Sequence, residues 1–140
     1  MNESILYTIN MQNNPPLILV VDDELDITRI CKIKLERSGF RVITAANGAE
    51  AVEMAIKQHP DLILMDIKMP FMDGATAQKK LAENPNTKDI KVVFLSAFDN
   101  PAHMKSDQAF SREVGAEDYI KKGVDIDDLV KKVKGYLNVH

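Results

Sequence analysis

The sequence predicts an α/β fold in which helices cover both faces of a parallel sheet. Short apolar runs alternate along the chain with segments whose apolar residues recur at helical spacing. Two of the runs, Leu17–Val21 and Leu62–Met65, are apolar at every position, which is typical of strands buried on both faces. With 140 residues, 45% of them apolar and 28% charged, the chain is long enough for one ordinary soluble domain but not for two.

Five strands and five helices are expected to alternate. The predicted strands cover Leu17–Val21, Phe40–Ala45, Leu62–Met65 with Asp66 at its end, Lys91–Leu95 and Asp118–Lys121. The predicted helices cover Ile27–Leu35 before Gly39, the segment from Asn47-Gly48 to just before Pro60, Ala75–Ala82, Ala102–Val114, and the segment from Asp125 to Leu137. Strands and helices in this alternation form right-handed βαβ units with parallel strands.

The most apolar strands are expected near the centre of the sheet. The first and third runs are more apolar than the second, which favours the flavodoxin-like strand order 2-1-3-4-5. The helical residues expected at the apolar faces of the first two helices are Ile27, Ile30, Cys31, Leu35, Ala51, Val52, Ala55 and Ile56. Asp125 with Asp128 three residues later predicts a cap at the start of the last helix.

Composition excludes several classes of protein. The net charge of −3 does not favour nucleic acid or an acidic membrane as a partner. No apolar run approaches the roughly 20 residues that span a bilayer, and the N-terminus does not resemble a secretion signal. The single Cys31 cannot form an internal disulfide, so we interpret it as a core residue and expect a reducing, cytoplasmic location. Residues 1–16 are rich in Asn and Gln and are interpreted as a flexible arm before a domain over residues 17–140.

Carboxylates follow the two most apolar strands, at the edge where ligands bind in such folds. Asp22 and Asp23 come after the first strand and Asp66 after the third. If these strands are neighbours about 4.8 Å apart, the acids repel one another unless a cation relieves them. Oxygen ligands favour Mg²⁺ or Mn²⁺ over zinc. The alternative, acids that cap a helix or face water, is preferred for Glu24 or Asp26 taken alone.

Two other strand ends supply complementary groups. Ser96 ends the fourth strand with a hydroxyl, and Lys121 and Lys122 end the fifth with a cation. A metal site, a hydroxyl and a lysine at one edge are suited to the oxygens of a phosphoryl group. Taken singly, Ser96 is more often a turn residue and a lysine pair more often a solvated face.

Four motifs at these strand ends resemble the receiver domains of two-component response regulators. They are Val20-Val21-Asp22-Asp23-Glu24, Asp61 to Pro70 with Met72-Asp73-Gly74, Leu95-Ser96-Ala97, and Gly115 to Lys122. The resemblance covers about residues 17 to 138. It implies a stand-alone, chemotaxis-type regulator without an output domain, which catalyses its own phosphorylation and dephosphorylation and is a switch rather than a turnover enzyme.

The resemblance also implies a role for individual residues. Asp66 would be the phosphoacceptor, and Asp22, Asp23, Asp66 and the backbone carbonyl of Lys68 would hold Mg²⁺. Ser96 and Lys122 would contact phosphoryl oxygens, while Lys121 points the other way. Tyr119 matches the aromatic whose rotamer changes with Ser96 on phosphorylation, although a simple packing role on an edge strand is an equal alternative.

The chain departs from the family pattern in three places. Gly123 follows Lys122 where family members usually have proline, often with a cis bond. The stretch between Ser96 and Gly115 is a few residues longer than usual, with the extra residues near 100–106. Lys68 and Phe98 occupy positions that tune dephosphorylation, and a bulky Phe98 predicts a long-lived phosphoryl group.

The implied partners are a sensor histidine kinase or a histidine phosphotransfer protein, together with a downstream protein target. The chain would act as a monomer or weak dimer. The main alternative is a constitutive protein-binding module in which phosphorylation is vestigial. A phosphatase that uses an aspartate nucleophile is disfavoured because Lys68 stands where a second Asp is common, and a nucleotide binder is disfavoured because no Gly-rich phosphate loop is present.

Overall fold

The structure is a computed structural model that describes residues 14–67, 69, 72–96, 115–122 and 125–138. Its strands are β1 (Leu17–Val21), β2 (Arg41–Ala45), β3 (Leu62–Asp66), β4 (Lys91–Ser96) and β5 (Asp118–Lys121). All neighbouring strands are parallel, and their order is β2-β1-β3-β4-β5. The predicted α/β class and strand order are therefore confirmed.

Four helices lie within the described residues: α1 (Leu25–Arg37), α2 (Gly48–Gln58), α3 (Gly74–Glu83) and α4 (Ile126–Tyr136). The helix predicted over Ala102–Val114 lies outside the described residues. Side-chain caps begin three of the four helices: Asn47 accepts a hydrogen bond from the amide of Glu50, Asp73 from Thr76 and Asp125 from Asp127. The cap of α4 differs from the prediction, because the side chain of Asp125 accepts from the amide of Asp127 rather than from that of Asp128.

The core has two layers, one on each face of the sheet. All residues of β1 and β3 are buried, and successive side chains point to opposite faces. Ile18 and Val20 pack in the layer that contains α1 and α4, whereas Leu19 and Val21 pack in the layer that contains α2. Burial on both faces explains why these strands are apolar at every position.

Two residues predicted on the apolar faces of helices are exposed instead. Ile30 on α1 is 56% exposed and Ile56 on α2 is 47% exposed. The buried stripe of α1 passes through Cys31 and Leu35, and that of α2 through Ala51 and Ala55. Ile30 and Ile56 each lie one residue from these stripes, about 100° around the helix, and so turn toward solvent. Cys31 itself is buried, as expected.

The turn into β5 requires a glycine. Gly115 has φ of 82°, in the left-handed region that side chains rarely adopt. From this turn the amide of Glu117 donates to the carbonyl of Val92 at 2.8 Å, which sets β5 beside β4. The edge of the sheet that carries Lys122 is thereby fixed. Within the described residues, no helix is both long enough and apolar enough to cross a bilayer.

At the N-terminal side, the described chain is joined to the edge strand β2. Arg41 donates from its side chain to the carbonyl of Pro15 at 2.9 Å and from its amide to the carbonyl of Pro16 at 3.0 Å. Residues 1–13 of the predicted arm lie outside the described residues. The arm and the domain boundary after residue 16 stay predictions.

Candidate functional site

The structure brings three of the predicted acids together at the carboxyl edge of the sheet. Val21 of β1 pairs with Met65 of β3, so the next residues, Asp22 and Asp66, lie side by side. Both are buried, whereas Asp23 is exposed. One carboxylate oxygen from each of the three acids lies within 4.8 Å of the others. The strand register therefore produces the carboxylate cluster that the sequence predicts.

Asp22 uses its two carboxylate oxygens differently. Oδ1 accepts a hydrogen bond from the amide of Glu24 at 2.9 Å. This bond closes a short turn that ends β1 and leads into α1. Oδ2 is buried and has no well-aligned hydrogen-bond donor among the described residues. Burial is the main influence on this carboxyl group and raises its pKa, although the nearby Lys122 opposes the shift. Asp22 is thus a buried acid with an oxygen available to a cation.

Lys122 reaches this cluster from the end of β5. Its Nζ lies 2.8 Å from Oδ2 of Asp22 and 3.1 Å from Oδ2 of Asp66, and its side chain is only 11% exposed. Burial alone would lower the pKa of Lys122, but the hydrogen bonds and charges of Asp22 and Asp66 outweigh burial and raise it. The lysine is consequently protonated at neutral pH. The preceding Lys121 is exposed.

Glu24 also contacts Lys122, a contact that the sequence pattern did not predict. Its Oε1 lies 3.2 Å from Nζ of Lys122, although the Glu24 side chain is largely exposed. The sequence predicts only that Glu24 faces water or supports the helix that follows. Its position directly after Asp22-Asp23 places Glu24 near the predicted cluster, but the sequence does not show that it reaches Lys122.

The remaining predicted residues are described only in part. Ser96 is the last residue of β4 and pairs with Lys121, but its side chain is outside the described part of the structure. Tyr119 pairs with Phe94 and is partly buried against the layer that contains α2 and α3. Lys68, Phe98 and Gly123 lie outside the described residues. The roles assigned to these residues therefore stay predictions.

The acid cluster fits a hard divalent cation. Among the described residues, it offers three carboxylates and neither histidine nor cysteine, and Mg²⁺ prefers oxygen ligands of this kind. Two oxygens bound to one Mg²⁺ ion are about 2.9 to 4.2 Å apart, and one oxygen from each of the three acids lies within 4.8 Å of the others, so small movements would bring all three to a single ion. The buried Oδ2 of Asp22 already has the ammonium group of Lys122 at 2.8 Å, so a bound cation would share this oxygen with the lysine.

Comparison with known proteins agrees with the fold. The model of the response regulator receiver domain family matches residues 18–134. The chain belongs to the response regulator receiver domain family. The crystal structure of a putative response regulator from Chloroflexus aurantiacus superimposes with a TM-score of 0.81 at 31% identity, covering 89% of this chain and 99% of that one.

Curated relatives differ in how much of their length this chain spans. The polar-differentiation response regulator DivK of Brucella ovis is 34% identical over 121 residues, which are 86% of this chain and 94% of DivK. The probable transcriptional regulator ycf27 of Cyanophora paradoxa is 35% identical over 127 residues, 91% of this chain. The chain spans only 50% of the length of that relative.

Proposed function

We propose that this receiver domain accepts a phosphoryl group on Asp66 in a Mg²⁺-dependent reaction and signals through the modified form. The observation that carries the proposal is the ion pair between Nζ of Lys122 and Oδ2 of Asp66 at 3.1 Å, inside a cluster of three carboxylates. A protonated lysine beside a buried carboxylate suits a site that must receive negative charge. Membership of the receiver family supports the same reaction.

In the proposed reaction, a carboxylate oxygen of Asp66 attacks the phosphorus of a phosphohistidine on the donor. An O–P bond forms, the P–N bond breaks, and the imidazole nitrogen keeps the electron pair of that bond. Lys122 would turn from the Asp66 carboxylate to an oxygen of the incoming group and balance its charge. Bound Mg²⁺ would supply further charge neutralisation for the phosphoryl oxygens.

Other residues of this chain would act around that step. Asp22 and Asp23, with Asp66 and the backbone carbonyl of Lys68, would hold the cation. Ser96 would donate to a phosphoryl oxygen, and Tyr119 would repack with it as the domain changes state. Lys68 and Phe98 would tune the rate of dephosphorylation, with Phe98 shielding the acyl phosphate from water.

The biological role follows the same proposal. A histidine kinase or histidine phosphotransfer protein would donate the phosphoryl group, and a downstream protein would recognise the modified domain or receive the group in turn. The domain would work in the cytoplasm as a monomer or weak dimer, as a signalling switch that catalyses its own modification. A switch of this kind shifts a population between two arrangements, so the partner must bind them with different affinity.

Intact mass spectrometry tests the proposal. The wild-type protein and Asp66→Asn are incubated with acetyl phosphate, each with Mg²⁺ and each with EDTA. Asn has almost the same shape as Asp but a much weaker nucleophile, so the variant is a matched control. We expect a mass gain of one phosphoryl group only for the wild type with Mg²⁺.

Two other results would count against the proposal. A mass gain in Asp66→Asn would place the modification on another residue and contradict the proposed site. No gain in folded, Mg²⁺-bound wild type, with acetyl phosphate and with a phosphorylated histidine donor, would favour the constitutive binding module instead.

A further inference from the structure

The N-terminus of α2 contacts residues 72 and 73, which directly precede α3. The amide of Gly48, the first residue of α2, donates a hydrogen bond to the carbonyl of Met72 at 3.0 Å. The helix start itself is capped separately, because the side chain of Asn47 accepts from the amide of Glu50 at 2.9 Å. The Gly48 amide is therefore used for a tertiary contact rather than for the cap.

No side chain fits at position 48. A Cβ atom there would lie 2.4 Å from the carbonyl oxygen of Met72 and 3.1 Å from that of Asp73. These are backbone atoms, which cannot swing aside as the end of a flexible side chain can. Gly48 is not among the glycines with positive φ in the described residues, so the requirement is steric rather than conformational.

The same segment is also attached to the backbone next to Asp66. The amide of Gly74 donates to the carbonyl of Ile67 at 2.8 Å, and Ile67 directly follows Asp66. A Cβ at Gly74 would lie 2.4 Å from the carbonyl oxygen of Asp66. Residues 72–74 thus lie between two contacts, one with Gly48 and the other with the Asp66–Ile67 backbone.

We propose that Gly48 is a positioning residue for the phosphoacceptor. By fixing the positions of Met72 and Asp73, it holds the next residue, Gly74, against the backbone of Asp66. A side chain at position 48 would push residues 72–74 toward Asp66 or away from it. The carboxylate of Asp66 would then leave its place in the cluster with Asp22 and Asp23. The inference rests on the proposed function, because it concerns the geometry of that same site.

Gly48→Ala tests the inference against two matched controls. Gly135→Ala introduces the same side chain in α4, where nothing lies within 4 Å of the added Cβ. Asn47→Ala removes the cap beside Gly48 but leaves the contact with Met72 in place. Mg²⁺ affinity is measured by calorimetry and the rate of phosphoryl uptake by intact mass, while amide hydrogen exchange at Gly48 and Gly74 reports on the two contacts.

We expect Gly48→Ala to weaken Mg²⁺ binding by roughly tenfold, the loss typical of disturbing a residue that supports metal ligands. Phosphoryl uptake should slow by roughly tenfold or more, since small displacements of reacting groups are costly. Exchange at the Gly74 amide should become faster. Gly135→Ala and Asn47→Ala should keep Mg²⁺ affinity and uptake within about twofold of wild type, although one gains and the other loses helix stability.

Unchanged Mg²⁺ affinity and uptake in folded Gly48→Ala would overturn the inference, and so would equal losses in Asn47→Ala. If Gly48→Ala does not fold, amide exchange in the wild-type protein still tests the inference. Mg²⁺ binding should slow exchange at the Gly48 amide severalfold, and no change there would contradict the coupling. Failure of wild type to take up a phosphoryl group would overturn the proposed function, whereas the Mg²⁺ and exchange measurements would still test the position of Gly48.

Discussion

The ammonium group of Lys122 lies 2.8 Å from Oδ2 of Asp22, and Asp22 itself has no solvent-exposed surface. Through this contact one cation from the end of β5 compensates a buried acid at the end of β1. The same Nζ atom also contacts Asp66 and Glu24. Lys122 is therefore the main compensating charge for the acid cluster among the described residues, and its removal should affect both stability and metal binding.

Lys122→Met should destabilise the protein in the absence of Mg²⁺. Asp22 and Asp66 would lose their ion pairs while buried, which should lower the free energy of unfolding by roughly 2–3 kcal/mol, less than for a pair fully shielded from water. Mg²⁺ should restore more stability to this variant than to wild type, because it no longer competes with the lysine charge. Urea unfolding with and without Mg²⁺ measures both effects, and Lys121→Met is the control. Equal stabilisation of wild type and Lys122→Met by Mg²⁺ would contradict this account.

Asp23→Asn should weaken Mg²⁺ binding with little effect on the fold. Asp23 is exposed, yet one of its oxygens belongs to the carboxylate cluster. Loss of one charged ligand should reduce Mg²⁺ affinity by roughly tenfold, as measured by calorimetry. Asp26→Asn is the matched control, because Asp26 is an exposed acid in the first turn of α1 outside the cluster. Equal losses in the two variants would mean that general electrostatic attraction, rather than ligation, binds the cation.

Tyr136→Phe should remove a link between α4 and β5. The hydroxyl of Tyr136 donates to Oδ2 of Asp118 at 2.6 Å, and loss of this bond to a charged acceptor should cost about 1–2 kcal/mol at pH 8. Burial, and next the bond to Asp118, raise the pKa of Tyr136. As the pH rises, Tyr136 therefore ionises in the unfolded chain before it does so in the folded protein. The stability that its hydroxyl contributes is complete below a pH of about 10 and declines above it.

The stability difference between wild type and Tyr136→Phe should shrink by about 1 kcal/mol between pH 9 and pH 11. Other tyrosines and the lysines titrate in both proteins, so the difference isolates this hydroxyl. Urea unfolding followed by circular dichroism at three pH values in this window is sufficient. A difference that stays constant or widens with pH would show that the hydroxyl is not held in its neutral form.

Cys31 should be unreactive in the folded protein. Burial, assisted by the charge of Asp22, raises the pKa of its thiol to about 11. At pH 8 only roughly 0.1% of such a thiol is ionised, and the sulfur is also sterically shielded. A disulfide reagent such as DTNB should therefore react slowly in buffer and rapidly in urea. Rapid reaction of the native protein would argue against the core position of Cys31.

The fold and the acid cluster could be predicted because both depend on local sequence patterns. β1 and β3 are apolar at every position, and the rules for βαβ units then determine which strand ends meet. Asp22 and Asp66 could be placed together for that reason alone. Asn47 and Asp125 likewise indicated the starts of α2 and α4.

Other features depend on contacts that no local pattern records. The spacing of apolar residues in α1 predicts a buried stripe but does not give its width, so the prediction that Ile30 belongs to the buried apolar face is wrong. The hydrogen bond from Gly48 to Met72 joins the start of α2 to a residue distant in sequence, and glycine also occurs at helix starts that make no tertiary contact. The Glu24–Lys122 ion pair depends on how far β5 extends toward α1, which only the assembled sheet determines.

The location of the phosphoryl group tests the central claim most directly. The protein is phosphorylated with acetyl phosphate and Mg²⁺, reduced with borohydride to convert an aspartyl phosphate to homoserine, digested, and analysed by peptide mass spectrometry. The account predicts homoserine at position 66 and at no other aspartate, and none when EDTA replaces Mg²⁺. Homoserine at Asp22 or Asp23 in place of Asp66, or equal labelling in EDTA, would contradict it.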